Sequence, residues 1–206
     1  MSMIRIFSAL FCLIALSASI ARIMPAQADT QADIIARAEQ SLNKMKTVQA
    51  DFIQIASDGS AGEGRVYFRR PFQMRIDYLN PPNLSFVTSR IWIHVDDKID
   101  RTVTSYPVSQ SPLYTLLQDE ISLTPDEVVT RADLKDGVAS VTMSQQTGEA
   151  AGELRLEFDA QSWLLRRWVV TDALGVKTQV TLQNPLFDLP LENRLFGVPS
   201  YPVAAE

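Results

Sequence analysis

The chain has 206 residues, of which 46% are hydrophobic, and its 19 basic and 24 acidic residues give a formal net charge of −5 at pH 7. This acidic balance excludes a typical nucleic-acid-binding protein, because contacts to phosphates require a basic face. One histidine and one cysteine are too few for a typical zinc site, and a single cysteine cannot form a disulfide bond within the chain.

The first 28 residues have the pattern of a secretory signal peptide. Arg5 precedes an apolar run from Ile6 to Ala21, and Ala26-Gln27-Ala28 provides a cleavage site of small residues. We therefore predict that the signal peptide is cleaved after Ala28. The alternative is a transmembrane anchor, but the apolar run is short for a span of ~20 residues and Arg22 closes it.

Cleavage would leave a single domain, residues 29–206, without cysteine. Cys12 leaves with the signal peptide, and lipid modification at this cysteine is disfavoured because the bulky Phe11 precedes it. Two arginines also leave, so the mature chain has 17 basic and 24 acidic residues and a formal charge of −7. Its 178 residues can bury a core that is stable without disulfides. The negative charge argues against stable membrane insertion or prolonged binding to an anionic membrane.

An amphipathic helix is predicted from Asp33 to Val48. Thr30, which lies three residues before Asp33, is typical of a capping arrangement at the start of a helix. The apolar positions recur at helical spacing at Ile35, Ala38, Leu42 and Met45. Polar and charged residues occupy the other sides, so we expect one face of this helix to pack against the rest of the domain.

From Gln49 onward the apolar residues alternate with polar ones, which indicates β-strands. The predicted strands are residues 50–56, 64–69, 72–79, 84–88, 91–95, 99–104, 138–143, 153–158, 164–171 and 176–183. Turn-like residues such as Asp58-Gly59-Ser60 and Asp172-Ala173-Leu174-Gly175 separate them. These short connections leave no room for crossover helices, so the sequence predicts an antiparallel meander.

The strand pattern is interrupted from Pro107 to Thr130. Pro112 suits the first turn of a short helix, on which Leu113, Leu116 and Leu117 would form an apolar stripe. Residues 125–128 are predicted to form another helical turn. The predicted fold class is therefore mainly β (α+β), with one N-terminal helix and a short helical region between two groups of strands.

The strand pair on either side of Arg70-Pro71 is the most informative segment. Val66 and Phe68 share one face of the first strand, and Arg70 continues this apolar face. A guanidinium that leaves water is costly unless its donors are satisfied. Arg70 therefore either reaches solvent at the edge of the sheet or is held by carbonyl or carboxylate groups. In the second case it would act as a latch between movable parts.

The sequence contains no recognisable catalytic arrangement. His94 alternates with Ile93 and Val95 and is interpreted as a structural strand residue. The charged residues of the run 153–159 alternate with apolar ones and are interpreted as a solvent-exposed sheet face. There is no G-x-S-x-G, G-x-G-x-x-G or P-loop motif. We predict a protein that is not an enzyme and needs no cofactor or metal; a secreted hydrolase of lipids or sugars is the less favoured alternative.

A series of short motifs follows a characteristic order along the chain. They are Phe52-Ile53-Gln54, Gly62-x-Gly64, Arg69-Arg70-Pro71, Tyr78-x-x-Pro81, Ser111-Pro112-Leu113, Asp172-x-x-Gly175 and Phe196-x-x-Pro199. Each motif is weak alone, but their order and spacing resemble the outer-membrane lipoprotein carrier (LolA) family over the whole mature chain. The chain departs from the family pattern at Thr88-Ser89-Arg90, where many members have an Asp-Gly turn.

This resemblance implies an unclosed, strongly curved antiparallel β-barrel whose helices form a lid over an apolar cavity. It implies a periplasmic carrier that receives the acyl chains of lipoproteins from an inner-membrane lipoprotein-releasing ABC transporter and delivers them to an outer-membrane receptor. We expect such a carrier to act as a monomer. An alternative with the same fold is an envelope domain that senses lipids or lipoproteins without transporting them.

The resemblance also implies that Arg70 is the lid latch. Family members hold the lid closed through backbone carbonyls, and the expected partners here lie in Leu113 to Gln118 and around Ile35 to Leu42. Alternation along the strands and the lid predicts the following acyl-chain cavity residues: Val66, Phe68, Met74, Ile76, Tyr78, Phe86, Trp92, Leu113 and Leu116. The alternative for each of them is a place in an ordinary packed core.

Overall fold

One antiparallel sheet dominates the computed structural model, which describes residues 29–123, 129–145 and 152–201. The strands in these ranges are β1 Thr47–Ala56, β2 Ala61–Arg69, β3 Gln73–Asn80, β4 Leu84–Thr88, β5 Trp92–Asp97, β6 Thr102–Pro107, β7 Val129–Lys135, β8 Val138–Gln145, β9 Gly152–Asp159, β10 Leu165–Asp172 and β11 Lys177–Phe187. Their order across the sheet is β6-β5-β4-β3-β2-β1-β11-β10-β9-β8-β7. The curved sheet is unclosed, with β6 and β7 at its edges, so the predicted mainly β fold is confirmed.

The N-terminal helix α1, Gln31–Lys44, begins with the capping box that the sequence predicts. The Asp33 amide donates to Thr30 Oγ1 over 3.2 Å, and the Thr30 amide donates to Asp33 Oδ2 over 3.1 Å. The helix ends earlier than predicted, because Met45 is extended and β1 begins at Thr47. The predicted signal peptide, residues 1–28, lies outside the described residues.

Several strand bounds differ from the sequence prediction: β1 and β2 begin three residues earlier, β11 ends four residues later, and β6 and β7 differ for identifiable reasons. Strand β6 starts three residues later than expected, because Asp97 Oδ1 accepts hydrogen bonds from the Ile99 and Asp100 amides and fixes a turn there. Strand β7 was not predicted. Its buried residues, Val129 and Ala132, are three positions apart, since the pairing with β8 is irregular at this point. A register irregularity hides the period of two that marks a strand.

Two short 3₁₀ helices, Val108–Gln110 and Pro112–Leu117, follow β6. We call residues 108–117 the lid segment. Pro112 starts the second 3₁₀ helix as predicted, and Ser111 Oγ caps it by accepting a hydrogen bond from the Leu113 amide over 3.3 Å. The further helical turn predicted at residues 125–128 lies outside the described residues.

The hydrophobic core lies between the concave face of the sheet, α1 and the lid segment. Helix α1 packs against β7 and β8, and the 3₁₀ helix Pro112–Leu117 packs against β9. Side chains of the helix, the lid segment and these strands form one continuous buried cluster. Its most deeply buried large members are Leu42, Leu117, Ile121, Leu123, Leu156 and Phe158. Val48, Val66 and Phe68 of β1 and β2 belong to the same cluster.

The C-terminal residues 188–201, which we call the C-terminal strap, are held on the outer face of the sheet. Arg69 donates to Leu191 O over 2.6 Å and to Asn193 Oδ1 over 2.8 Å. The Tyr201 hydroxyl donates to Asp96 Oδ1 over 2.6 Å, and this aspartate is only 4% exposed. This hydrogen bond fixes the end of the C-terminal strap to β5.

Candidate functional site

A cavity of about 560 Å³ lies between the concave sheet and the lid segment and is partly open to solvent. Strands β1 to β6, β10 and β11 form its wall, and residues 107 and 110–113 cover one end. Most of the lining side chains are aliphatic or aromatic. A hollow of this size and character is typical of a binding site for a small apolar ligand.

Six of the nine side chains predicted for the cavity wall line this cavity: Val66, Met74, Ile76, Tyr78, Phe86 and Leu113. Phe68 and Leu116 do not line it. Both are buried beside a much smaller void next to Arg70, and Phe68 packs edge-on against Trp168 at a ring-centroid distance of 6.1 Å. They belong to the packed core because α1 and the lid segment meet the sheet at this point.

Trp92 lies on the opposite face of the sheet from the one expected. It is 42% exposed, whereas Ile93 and Val95 line the cavity. The register explains the difference: Val95 pairs directly with Phe86, a cavity residue, and directly paired residues share one face. Trp92 is an odd number of positions from Val95 and must therefore face outward.

Sequence reasoning missed several apolar residues of the wall, among them Phe52, Ile93, Val95, Trp168, Val170 and Val180. Three of them come from β10 and β11. These strands reach the cavity because β11 pairs with β1, although the two strands are far apart in the sequence. The alternation of Trp168 and Val170 was a signal that they share a face. That signal did not reveal which distant strand lies next to them.

Two glycines of β2 make room for the aromatic side chains of the wall. A Cβ atom on Gly64 would lie 2.1 Å from the Asp77 carbonyl oxygen and 2.8 Å from the Phe52 ring. A Cβ atom on Gly62 would lie 3.0 Å from the Tyr78 ring. Phe52 and Tyr78 pack edge to face at 5.3 Å. The Gly62-x-Gly64 motif therefore sets the shape of this part of the cavity.

The cavity wall also contains a hydrogen-bonded polar pair. The Tyr78 hydroxyl donates to Gln54 Oε1 over 2.7 Å, and both side chains line the cavity. Burial raises the pKa of Tyr78, while the hydrogen bond to Gln54 opposes this shift. The hydroxyl is therefore neutral at physiological pH and remains a hydrogen-bond donor.

Arg70 binds the C-terminal end of α1. Its guanidinium donates to the carbonyl oxygens of Leu42 and Met45 and lies 3.5 Å from Asn43 Oδ1. These carbonyls belong to the last turn and the cap of the helix, where no intrahelical donor is available. Burial lowers the pKa of Arg70, and the nearby Asp119 and Asp188 oppose this effect.

The other expected partner of Arg70, the region from Leu113 to Gln118, receives no hydrogen bond from its side chain within the described ranges. The backbone makes this connection instead, because the Phe72 amide donates to Leu117 O over 2.7 Å. The Phe72 and Tyr114 rings stack at 6.4 Å. The turn that carries Arg70 therefore joins the helix through a side chain and the lid segment through its backbone.

The segment that follows the lid is fastened along α1. Asn43 Nδ2 donates to Ile121 O over 2.7 Å, and Asn43 Oδ1 accepts from the Ile121 amide over 2.9 Å. One turn earlier in the helix, Glu39 Oε2 accepts from the Leu123 amide over 2.7 Å. These bonds fix the path of residues 118–123 against the helix.

The residues considered for catalysis have structural roles. His94 Nδ1 lies 2.9 Å from Ser105 Oγ on the neighbouring strand. Glu157 forms ion pairs with Arg155 at 2.9 Å and with Arg167 at 3.2 Å on the outer face of the sheet. Within the described ranges, no three side chains of His, Cys, Asp or Glu converge as metal ligands would. No helix in the same ranges is both long and apolar enough to cross a membrane.

Comparison with known proteins agrees with this architecture. Among solved structures, a DUF1329 family protein from Desulfovibrio piger ATCC 29098 is 11% identical with a TM-score of 0.51, and the match covers 80% of this chain and 95% of that one. A LolA superfamily protein from Nitrosomonas europaea is 10% identical with a TM-score of 0.45, with 82% and 98% covered. At 11% identity the likeness to the Desulfovibrio piger protein concerns the fold alone. No match was found among curated proteins.

A family model gives the stronger result, because it matches most of the chain. The model describes the outer membrane lipoprotein carrier protein LolA and matches residues 43–198. The matched region includes all the described strands, the lid segment, Arg70 and the cavity. The chain therefore belongs to the LolA family of outer membrane lipoprotein carrier proteins.

Proposed function

We propose that the protein is a periplasmic carrier that binds the acyl chains of lipoproteins in its cavity and ferries the lipoproteins from the inner to the outer membrane. The observation that carries this proposal is an apolar cavity of about 560 Å³ beside a lid segment, together with a half-buried arginine that holds the end of α1. A cavity with these features can shield an apolar chain from water without any catalytic group.

The energetics of acyl chains explain why a latch would be useful. Burial of one methylene group contributes about 0.8 kcal/mol, so a chain of about 14 methylenes would gain on the order of 11 kcal/mol. Binding of this strength must be opposed if the cargo is to be released. A stable closed form without ligand opposes binding, because its contacts must break before the cavity can open fully. Arg70 would supply part of this opposition.

The proposed partners follow from this cycle. An inner-membrane lipoprotein-releasing ABC transporter would load the carrier, and an outer-membrane receptor would accept the cargo. The carrier would act as a soluble monomer after removal of residues 1–28, and its net negative charge would limit adhesion to anionic membranes. It would need no cofactor and would not be an enzyme.

The test is release of lipoprotein from spheroplasts that have accumulated it in the inner membrane. We expect the purified mature chain to appear in the supernatant as a soluble one-to-one complex with lipoprotein, and then to pass the lipoprotein to isolated outer membranes. Heat-unfolded protein is the control. Release without delivery would favour a sensing domain over a carrier, and absence of release would contradict the proposal.

A further inference from the structure

The polar pair in the cavity wall leaves one strong donor unused. Gln54 Oε1 accepts the Tyr78 hydroxyl hydrogen bond, which fixes the orientation of the amide group. Gln54 Nε2 has no hydrogen-bond partner among the described residues, although the side chain lines the cavity. An amide nitrogen in this setting can donate to a ligand, and an apolar ligand without an acceptor would leave it unsatisfied at a cost.

The pair lies at the end of β3 away from the lid segment. Met74, near the start of the strand, lines the part of the cavity close to the lid, and Tyr78 follows four residues later. At about 3.3 Å per residue, the two positions are about 13 Å apart along the strand. Side chains between them, such as Ile76, are apolar. The cavity therefore has a long apolar part and a hydrogen-bond donor toward one end.

We propose that Gln54 Nε2 donates a hydrogen bond to the carbonyl oxygen at the polar end of an acyl chain bound in the cavity. This inference rests on the proposed function and specifies the ligand of the same site. Tyr78 acts as a positioning residue, because its hydroxyl occupies Gln54 Oε1 and directs the amide nitrogen toward the ligand. Ester-linked and amide-linked chains share the carbonyl acceptor.

The experiment is competitive displacement of a fluorescent fatty acid by three probes of equal chain length: a fatty-acid methyl ester, the N-methyl amide and the alkane. We expect the wild-type protein to bind the ester and the amide about fivefold more tightly than the alkane, the effect of one neutral hydrogen bond. A preference for only one of the two carbonyl probes would identify the linkage that the site reads.

Gln54→Leu should remove the preference, and Tyr78→Phe should reduce it while keeping the ring in the wall. The matched control is Thr178→Val, which removes another hydroxyl from the cavity lining and leaves the pair intact; it should retain the wild-type preference. If Gln54→Leu fails to fold, Gln54→Met takes its place.

Equal affinity for all three probes would overturn the role of Gln54 while leaving acyl binding intact. If Thr178→Val loses the preference and Gln54→Leu keeps it, the donor is Thr178 and not Gln54. Failure to bind any probe would contradict the proposed function itself.

Discussion

Two adjacent arginines attach different parts of the chain to opposite faces of the sheet. Arg69 points outward and holds the C-terminal strap through Leu191 and Asn193. Arg70 points inward and holds the end of α1. Consecutive residues of an extended chain point to opposite sides, so one short stretch between β2 and β3 anchors both elements. Only the inward arginine borders the region of the helix and the lid.

Arg70→Leu is expected to bind an acyl ligand more tightly and to release it to acceptor membranes roughly tenfold more slowly. The substitution removes charge-assisted hydrogen bonds worth about 1.5–3 kcal/mol each from the closed, empty form, so opening costs less. Transfer of a fluorescent lipopeptide from the protein to lipid vesicles measures the release rate.

Arg69→Leu is the matched control for this prediction, since it removes the same charge from the other face of the sheet. It should lower the free energy of unfolding by loosening the C-terminal strap, but the release rate should stay close to that of the wild type. A normal release rate in Arg70→Leu would remove the latch from the mechanism.

Among the structural elements, β2 depends on its two glycines to different degrees. Gly64→Ala should lower the free energy of unfolding by about 2–3 kcal/mol, because the added Cβ meets the rigid Asp77 carbonyl as well as the Phe52 ring. Gly62→Ala should cost about 1 kcal/mol or less, because its Cβ is crowded by the Tyr78 ring, which can shift, and meets the Asn80 carbonyl oxygen at an ordinary contact distance of 3.5 Å. Urea unfolding of the two variants measures this difference. Equal losses would mean that backbone contact at Gly64 is unimportant.

The attachment of residues 118–123 to α1 depends mainly on Asn43. Asn43→Ala should lower the free energy of unfolding by about 2 kcal/mol, since it leaves the amide and the carbonyl of Ile121 without their partner. The same change should speed proteolysis within residues 118–123, which mass spectrometry can follow. Lys44→Ala is the control, because the neighbouring lysine is exposed. An unchanged cleavage rate in Asn43→Ala would contradict the attachment.

Most strands could be predicted because one face of each is apolar. At two strands, local features interrupt the alternation of apolar and polar residues. At β6, the Asp97 carboxylate holds the amides of the following turn and delays the strand. At β7, an irregular register separates the buried residues by three positions. Alternation also does not reveal which face of a strand points inward. In β5, the pairing with β4 places Val95 in the cavity wall and the larger Trp92 on the outer face.

For the whole molecule, we expect stability to decrease as the pH falls into the acidic range. Hydrogen bonds from Thr30, Ser60 and Ser162 hold the pKa values of Asp33, Asp58 and Asp159 below their ordinary range. The folded chain therefore binds protons at these sites more weakly than the unfolded chain does. Their contribution is complete above the unfolded pKa of about 3.9 and is lost as the pH falls through the lower folded values.

We expect the urea midpoint to be constant above about pH 5 and to fall below about pH 4. Asp33→Asn should make this decrease shallower, since the asparagine cannot titrate but can still accept a hydrogen bond at the start of α1. A midpoint that rises on acidification would contradict the assignment.

The long-range pairing of β1 with β11 is the part of the architecture that the sequence could not predict. Residues such as Ile53 and Thr181 are partners despite their separation along the chain, and short motifs contain no information about such pairing. The unclosed barrel was predicted from the family resemblance, because the alternation of apolar residues does not indicate how the strands are arranged. Arg70 was recognisable from the residues alone, because a cation on an apolar face needs acceptors; its partners at the end of α1 required the structure.

The unequal filling of the concave sheet separates the residues that keep the protein folded from those that would choose its cargo. Helix α1 and its neighbours complete a dense interior on β7–β9, whereas β1–β6, β10 and β11 line the hollow. Substitutions such as Ile76→Val or Phe86→Leu should therefore alter chain-length selectivity with little loss of thermal stability. An engineer or natural selection could retune the ligand range of this scaffold without rebuilding it.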